Sequence, residues 1–316
     1  MITREVTGDS DFPTFVIVIP ALNEEKSIGV VLDEISSIFE GRDYSVVVVD
    51  GNSVDGTPEI ARKRGAIVIS QLGKGYGDAL LSGFNYAIDE LDPYVIAMMD
   101  ADMTYDPKDI PVLMEPILDD KADLVVGNRF KGMEKGAMPI FNRMGNRVLS
   151  WIARLALKIR IYDTQCGIRI FRTDLLDGLN LSKKGMPFAI EMLAEAKFSG
   201  ARISEVPVSY RPRVGVTKLS PIKDGLMIFG TILRLMRDTQ PLLFFGGMGS
   251  LLGVMGFILG FDVALEWLRT QTVTRLPSVI LSVLFLMGAI QFFTLGLVAD
   301  MIKGLRKNNN SRFHDK

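Results

Sequence analysis

Through the first half of the chain, short and almost wholly apolar runs recur, and most end on a polar or charged residue. They are TFVIVIP (14–20), YSVVVVD (44–50), AIVIS (66–70), YVIAMMD (94–100) and DLVVGNR (123–129). Runs of this length without alternation predict strands buried on both faces. Between them the period changes. Ile28, Val31, Leu32, Ile35, Ile38 and Phe39 recur at helical spacing, a short helix starts at Thr57-Pro58, and another helix is expected over roughly 76–90. Strands that alternate with helices in this way predict an α/β fold, a mostly parallel sheet covered by helices on both faces.

The pattern changes again near the C-terminus. Residues 239–261 carry no charge, nor do residues 276–299. Each stretch exceeds the roughly 20 residues that cross a bilayer as a helix. Buried core helices usually keep a polar stripe, and these hold only scattered Ser, Thr and Gln, so the expectation is a transmembrane hairpin. The short connection 262–275 holds Arg269 and Arg275, whereas Lys218, Lys223, Arg234 and Arg237 precede the first span, and Lys303, Arg306, Lys307, Arg312 and Lys316 follow the second. That asymmetry predicts that both termini and the whole soluble part lie in the cytoplasm. The expected organisation is a catalytic domain over 1–222, an amphipathic juxtamembrane helix over 223–238, the hairpin over 239–302 and a basic tail over 303–316. Gly249, Gly253, Gly256 and Gly260 in the first span allow close helix approach, either within the hairpin or between copies of the chain.

Composition narrows the class. Formal net charge is -1, which argues against a nucleic-acid partner. A single cysteine, Cys166, excludes an internal disulfide, and a single histidine, His314 in the polar tail, argues against a Ser-His-Asp triad or a His-rich metal site. The N-terminal MITREVTGDSDFP has no apolar core of the signal-peptide kind.

The candidate chemistry gathers where strands end. Asn23-Glu24, Asp50 and Asp100/Asp102 all fall at the carboxyl ends of predicted strands, the edge on which such sheets bind ligands. On an extended segment, residues two apart point the same way. Asp100 and Asp102 are then a like-charged pair suited to Mg2+ or Mn2+ bridging a nucleotide diphosphate. Asp50, before GNSVDGT, reads equally well as an acceptor for a nucleobase or as part of an ordinary strand-to-helix turn. Gly73-Lys74-Gly75-Tyr76-Gly77 precedes a helix and offers backbone amides and a lysine to a phosphate, without Walker spacing.

Taken in order, VIPALNEEKSI, VVDGNSVDGT, GKGYGDALLSGF, MMDADMTYDP, GNRF, YDTQCGIRIFR and YRPRVGVTKLS resemble the family 2 inverting glycosyltransferases, and within them the polyprenyl-phosphate enzymes of the dolichyl-phosphate mannose synthase type. The resemblance covers about residues 13–225. It implies the GT-A fold, a nucleotide-sugar donor (GDP-mannose, UDP-glucose or UDP-N-acetylglucosamine) and a polyprenyl (dolichyl) phosphate acceptor. By position it implies that Pro20, Asn23, Glu24 and Asp50 line the nucleoside pocket. Asp100 and Asp102 would hold nucleotide and metal, with Thr104 standing where many members have a further Gln ligand, and Gly51 standing where many have a second Asp. Asp102 and Arg129 are the expected catalytic pair. Arg129, with Arg143 and Asn146, would grip the acceptor phosphate, while Lys74, Arg213 and Lys218 face the donor's diphosphate. Glu191 has no assigned role.

Two other readings share these features. A processive polysaccharide synthase of the same fold would want a Gln-x-x-Arg-Trp motif and more spans, yet neither Trp151 nor Trp267 follows an arginine. A membrane-anchored scaffold with a degenerate site would have lost its carboxylates, and Asp50, Asp100 and Asp102 are all present. Two stretches, 141–160 and 223–238, mix apolar positions at helical spacing with basic residues, as helices at a bilayer surface do.

Overall fold

The structure is a computed structural model and describes residues 13–181, 185, 187–214 and 221–314. The N-terminal stretch 1–12 and Lys218 lie outside the described residues. The chain forms two compact units, up to Ile232 and from Leu233 on.

In the first unit, seven strands form one sheet in the order β3-β2-β1-β4-β6-β5-β7. They are β1 (Phe15–Ala21), β2 (Tyr44–Asp50), β3 (Ile67–Ser70), β4 (Val95–Met98), β5 (Leu124–Met133), β6 (Arg169–Arg172) and β7 (Ile203–Tyr210). All neighbours pair in parallel except β6, which runs antiparallel between β4 and β5. Phe15 to Ile19 of β1 are buried without interruption, as a central strand with helices on both faces requires. The helices are α1 (Ile28–Ile38), α2 (Thr57–Lys63), α3 (Tyr76–Tyr86), α4 (Asp109–Leu118), α5 (Ile140–Leu157) and α6 (Phe188–Phe198). The buried face of α1 is Ile28, Val31, Leu32 and Ile35, the residues that gave its period.

One sequence expectation is corrected here. β4 ends at Met98, so Asp100 and Asp102 sit on the loop beyond it, where Met103 adopts a left-handed φ of 64°. Their shared direction comes from loop geometry and not from strand alternation.

α5 is amphipathic in an unusual sense. Ser150, Ala153, Ala156 and Leu157 face the core, while Phe141, Met144, Val148, Trp151 and Leu155 form an exposed apolar stripe. The next helix, α7 (Pro221–Thr239), begins in this unit, where Ile228 and Ile232 are buried and Ile222 and Leu226 are exposed. The division between the two units falls inside α7, after Ile232.

The second unit is a helical hairpin of α8 (Pro241–Thr270) and α9 (Leu276–His314). Helix continues past both apolar stretches, because Asp262, Glu266 and Arg269 end the hydrophobic run without breaking the backbone pattern. Both helices are long and apolar enough to cross a membrane, and only 11% and 17% of their apolar windows are buried. A β-carbon added at Gly249, Gly256 or Gly260 would come within 2.7–3.0 Å of atoms of Ala289, Ser282 or Leu286 on α9. The glycine stripe therefore seats α9 within the chain and gives no support to self-association. At the turn, Arg275 Nη1 donates to Asp262 Oδ2 at 3.0 Å, and its Nε lies 3.2 Å from Glu266 Oε2.

Candidate active site

The carboxyl ends of β1, β2, β4, β5 and β7 lie along one edge of the sheet, and a cavity of about 1360 Å³ opens there. Its lining includes Pro20, Glu24, Lys74, Asp100, Asp102, Arg129, Asn146 and Arg213. Motifs nearly two hundred residues apart thus meet in one place.

Asp102 is fixed first by its own loop. Its Oδ1 accepts from the Thr104 backbone N–H at 3.1 Å and from the Thr104 hydroxyl at 2.6 Å. Thr104 is buried and absent from the cavity lining, so its direct work is to orient Asp102. The end of β7 crosses this loop. The N–H of Arg211 donates to Thr104 O at 2.8 Å, and that of Val214 to Asp102 O at 3.3 Å. Between these residues, Arg213 places Nε 3.4 Å from Asp102 Oδ2 and Nη2 3.2 Å from Glu24 Oε1.

Asp100 accepts a hydrogen bond from the Tyr76 hydroxyl on its Oδ1, at 3.0 Å. Burial, and then the neighbouring Asp102 charge, push its carboxyl up to about 7, against the opposing hydrogen bond from Tyr76. The two carboxylates repel each other, Arg213 beside Asp102 offsets only part of their charge, and their hard oxygens suit Mg2+ or Mn2+. Asp100 and Asp102 therefore fit such an ion. Among the described residues no third Cys, His, Asp or Glu joins them, which leaves the rest of the shell to donor phosphates and water.

Arg129 is buried and already engaged. Its Nε and Nη2 donate to the two oxygens of Asp163 at 2.7 and 2.8 Å, and its backbone N–H donates to the same carboxylate at 3.1 Å. Glu205 in turn accepts the N–H groups of Tyr162 and Asp163 at 2.6 and 2.8 Å, so it braces the loop that carries Asp163.

Several expected residues stand beside the cavity, not in its lining. Asn23 is exposed, and its Oδ1 accepts from the Val54 N–H at 2.8 Å. Asp50 caps the Ser53 N–H with both oxygens at 3.2 Å. Asn23 fastens the loop 51–57 to the end of β1, Asp50 closes the loop's first turn, and it is Gly51 and Asn52 of that loop that reach the lining. Arg143 is half-buried, with its Nε unpartnered, and does not line the cavity.

Sequence reasoning missed Tyr76, Tyr105, Asp163 and Gly167. The Tyr105 hydroxyl accepts from the Gly167 N–H at 2.7 Å, and a β-carbon at Gly167 would lie 2.6 Å from Asp100 Oδ2. Tyr76 lay inside the Gly-rich stretch and Asp163 inside YDTQCG, both quoted motifs. No side-chain signal there named a partner.

Residues 16–179, slightly more than half of the chain, match the model of Glycosyl transferase family 2. Low-salt glycan biosynthesis hexosyltransferase Agl6 of Haloferax volcanii is 35% identical over 264 residues, 81% of this chain; the match spans 62% of that protein, less than two thirds of its length. Glycosyltransferase AglJ of the same organism is 31% identical over 301 residues, covering 95% of this chain and 97% of its own. Its dolichyl-phosphate hexose transferase is 37% identical over 224 residues, 71% and 94% of the two chains. Among solved structures, glucosyl-3-phosphoglycerate synthase from Mycobacterium tuberculosis, in complex with Mn2+, UDP and glucosyl-3-phosphoglycerate, superposes with a TM-score of 0.59 at 23% identity, over 71% of this chain and 80% of that one. That last likeness is one of fold.

The fold is GT-A, and the class of protein is a glycosyltransferase. More narrowly, this chain belongs to glycosyl transferase family 2.

Proposed function

We propose that the protein is membrane-bound and moves one sugar from a nucleotide-sugar to polyprenyl (dolichyl) phosphate, with inversion and with Mg2+ or Mn2+ held by Asp100 and Asp102. The observation that carries this reading is the make-up of this cavity. Its lining joins Asp100, Asp102 and Arg213 to the apolar side chains of Phe141, Met144, Val148, Ile222 and Leu226. A donor diphosphate suits the first set and a prenyl chain the second. The relative named dolichyl-phosphate hexose transferase supports the acceptor class.

In the proposed reaction an acceptor phosphate oxygen forms a bond to the anomeric carbon. The bond from that carbon to the donor's diphosphate breaks, and the nucleoside diphosphate leaves with the electron pair. A lipid phosphate is already an anion at neutral pH, so no side chain has to remove a proton. What the site must provide is position and charge. Arg129, oriented by Asp163, and Asn146 hold the acceptor phosphate. Arg213 and Lys74 face the donor's diphosphate, with Lys218 assigned from sequence. Pro20, Gly51 and Asn52 wall the nucleoside, with Asp50 and Asn23 holding that wall. The bound ion would offset charge on the leaving diphosphate.

The hairpin reads as two membrane spans. The excess of Lys and Arg at its outer ends favours placing both termini and the catalytic unit on the cytoplasmic side. The exposed stripe of α5 and the first turns of α7 suit the bilayer interface, where an acceptor's tail stays in lipid.

Radiolabelled GDP-mannose, UDP-glucose and UDP-N-acetylglucosamine should each be offered with a short polyprenyl phosphate. One donor's label is expected in the organic phase as a single lipid-linked sugar with inverted anomeric configuration. Label in a polymer, or retained configuration, would overturn the proposal.

A further inference from the structure

Arg213 occupies ground that a metal ion would also claim. Its guanidinium touches two carboxylates from different strand ends, Glu24 after β1 and Asp102 after β4, at 3.2 and 3.4 Å. Because Thr104 saturates Asp102 Oδ1 with two hydrogen bonds, Oδ2 is the oxygen open to a cation. Among the described residues, Arg213 is the cation paired with it. Arg129 is paired with Asp163 through Nε and Nη2 instead.

The two arginines are held to different degrees. The Arg129 side chain is 8% exposed and held by a two-pronged pair, whereas that of Arg213 is 25% exposed and held by single contacts. A guanidinium and a divalent cation on one carboxylate oxygen repel strongly at such range. A donor diphosphate in the same cavity offers the guanidinium a second anion, with two-pronged geometry that arginine suits.

We propose that Arg213 is the resident counter-ion of the donor site, releasing Asp102 to the divalent ion and moving to the donor's diphosphate when both arrive. This rests on the donor and metal reading above. It makes ion and nucleotide a coupled pair. The ion alone has to displace a positive charge, and the nucleotide removes that obstacle by attracting it. Coupling of this kind is reciprocal, so each ligand tightens the other by the same factor.

The test is Mn2+ binding to the full-length protein in lipid nanodiscs, read from the loss of the free-ion electron paramagnetic resonance signal, with and without GDP or UDP. Arg213→Gln is expected to bind Mn2+ alone at least about tenfold tighter than the parent chain. The same variant should lose at least about tenfold in the coupling between Mn2+ and the nucleotide. Arg213→Lys, which keeps the charge, should leave the affinity for Mn2+ alone near the parent value. Unchanged or weaker Mn2+ binding by Arg213→Gln, while Asp102→Asn abolishes binding, would overturn the role of Arg213 alone. Parent-like Mn2+ binding by Asp102→Asn would overturn the metal reading and this proposal with it.

Discussion

Arg129 and Asp163 form a two-pronged ion pair in which the Asp163 side chain is fully buried and that of Arg129 is 8% exposed. The pair joins β5 to the loop before β6 and sets the direction of the arginine that lines the cavity. Truncating one partner leaves a buried charge uncompensated, which costs about 3–5 kcal/mol. Asp163→Ala should lower the thermal midpoint of the catalytic unit by about 10 °C, followed by intrinsic fluorescence. A shift below about 2 °C would mean that the pair contributes little to stability.

Gly167 is constrained by the acidic pair and not by backbone angles. Its missing β-carbon would lie 2.6 Å from Asp100 Oδ2 and 3.1 Å from the Tyr105 hydroxyl. Gly167→Ala should displace Asp100 and raise the donor KM by about tenfold or more, while the thermal midpoint moves little. Unchanged donor KM would show that Asp100 can shift without loss.

Cys166 is inert by environment. Burial, and then the Asp163 charge, push its thiol up to about 12, and the fraction present as nucleophilic thiolate at pH 8 falls accordingly. Iodoacetamide at pH 8 should leave the native protein unmodified and alkylate it fully after denaturation, as read by mass spectrometry. Rapid labelling of the native chain would contradict the buried placement.

Trp151 belongs to the exposed stripe of α5 but not to the cavity lining. Trp151→Glu should reduce transfer to a long-chain acceptor in vesicles by about tenfold. Transfer to a short, water-soluble prenyl phosphate in detergent should stay within about twofold of the parent rate. Equal loss with both acceptors would assign the residue to the fold and not to the bilayer.

Much of this was legible because burial writes itself into periodicity. Val46 to Val49 and Phe15 to Ile19 read as strands and are strands, since strands covered on both faces favour unbroken apolar runs. The hairpin was legible for a related reason, although its helices outlast the apolar runs by about two to four turns. β6 was not legible as the antiparallel member. Four residues, RIFR, carry no sign of direction, and Arg169 in that strand is fully buried, donating to the carbonyls of Thr164, Cys166 and Ala189. The acidic pair was found for a reason that failed in detail, because a loop and not a strand aligns it. The braces of the site, Tyr76 on Asp100 and Asp163 on Arg129, depend on contacts 24 and 34 residues apart that no local pattern encodes.

The clasp of Arg275 with Asp262 and Glu266 bears on how the hairpin is made. If the spans cross a bilayer as proposed, their turn has to be carried through hydrocarbon once, during biosynthesis. Asp262, Glu266, Arg269 and Arg275 sum to zero formal charge, and three of the four are already joined. A turn that pairs its own charges crosses at lower cost than the same residues spread along an extended chain. The two helices should then insert together as a preformed unit, and Arg275→Glu should lower the protease protection of the hairpin when the chain is translated in the presence of membrane vesicles.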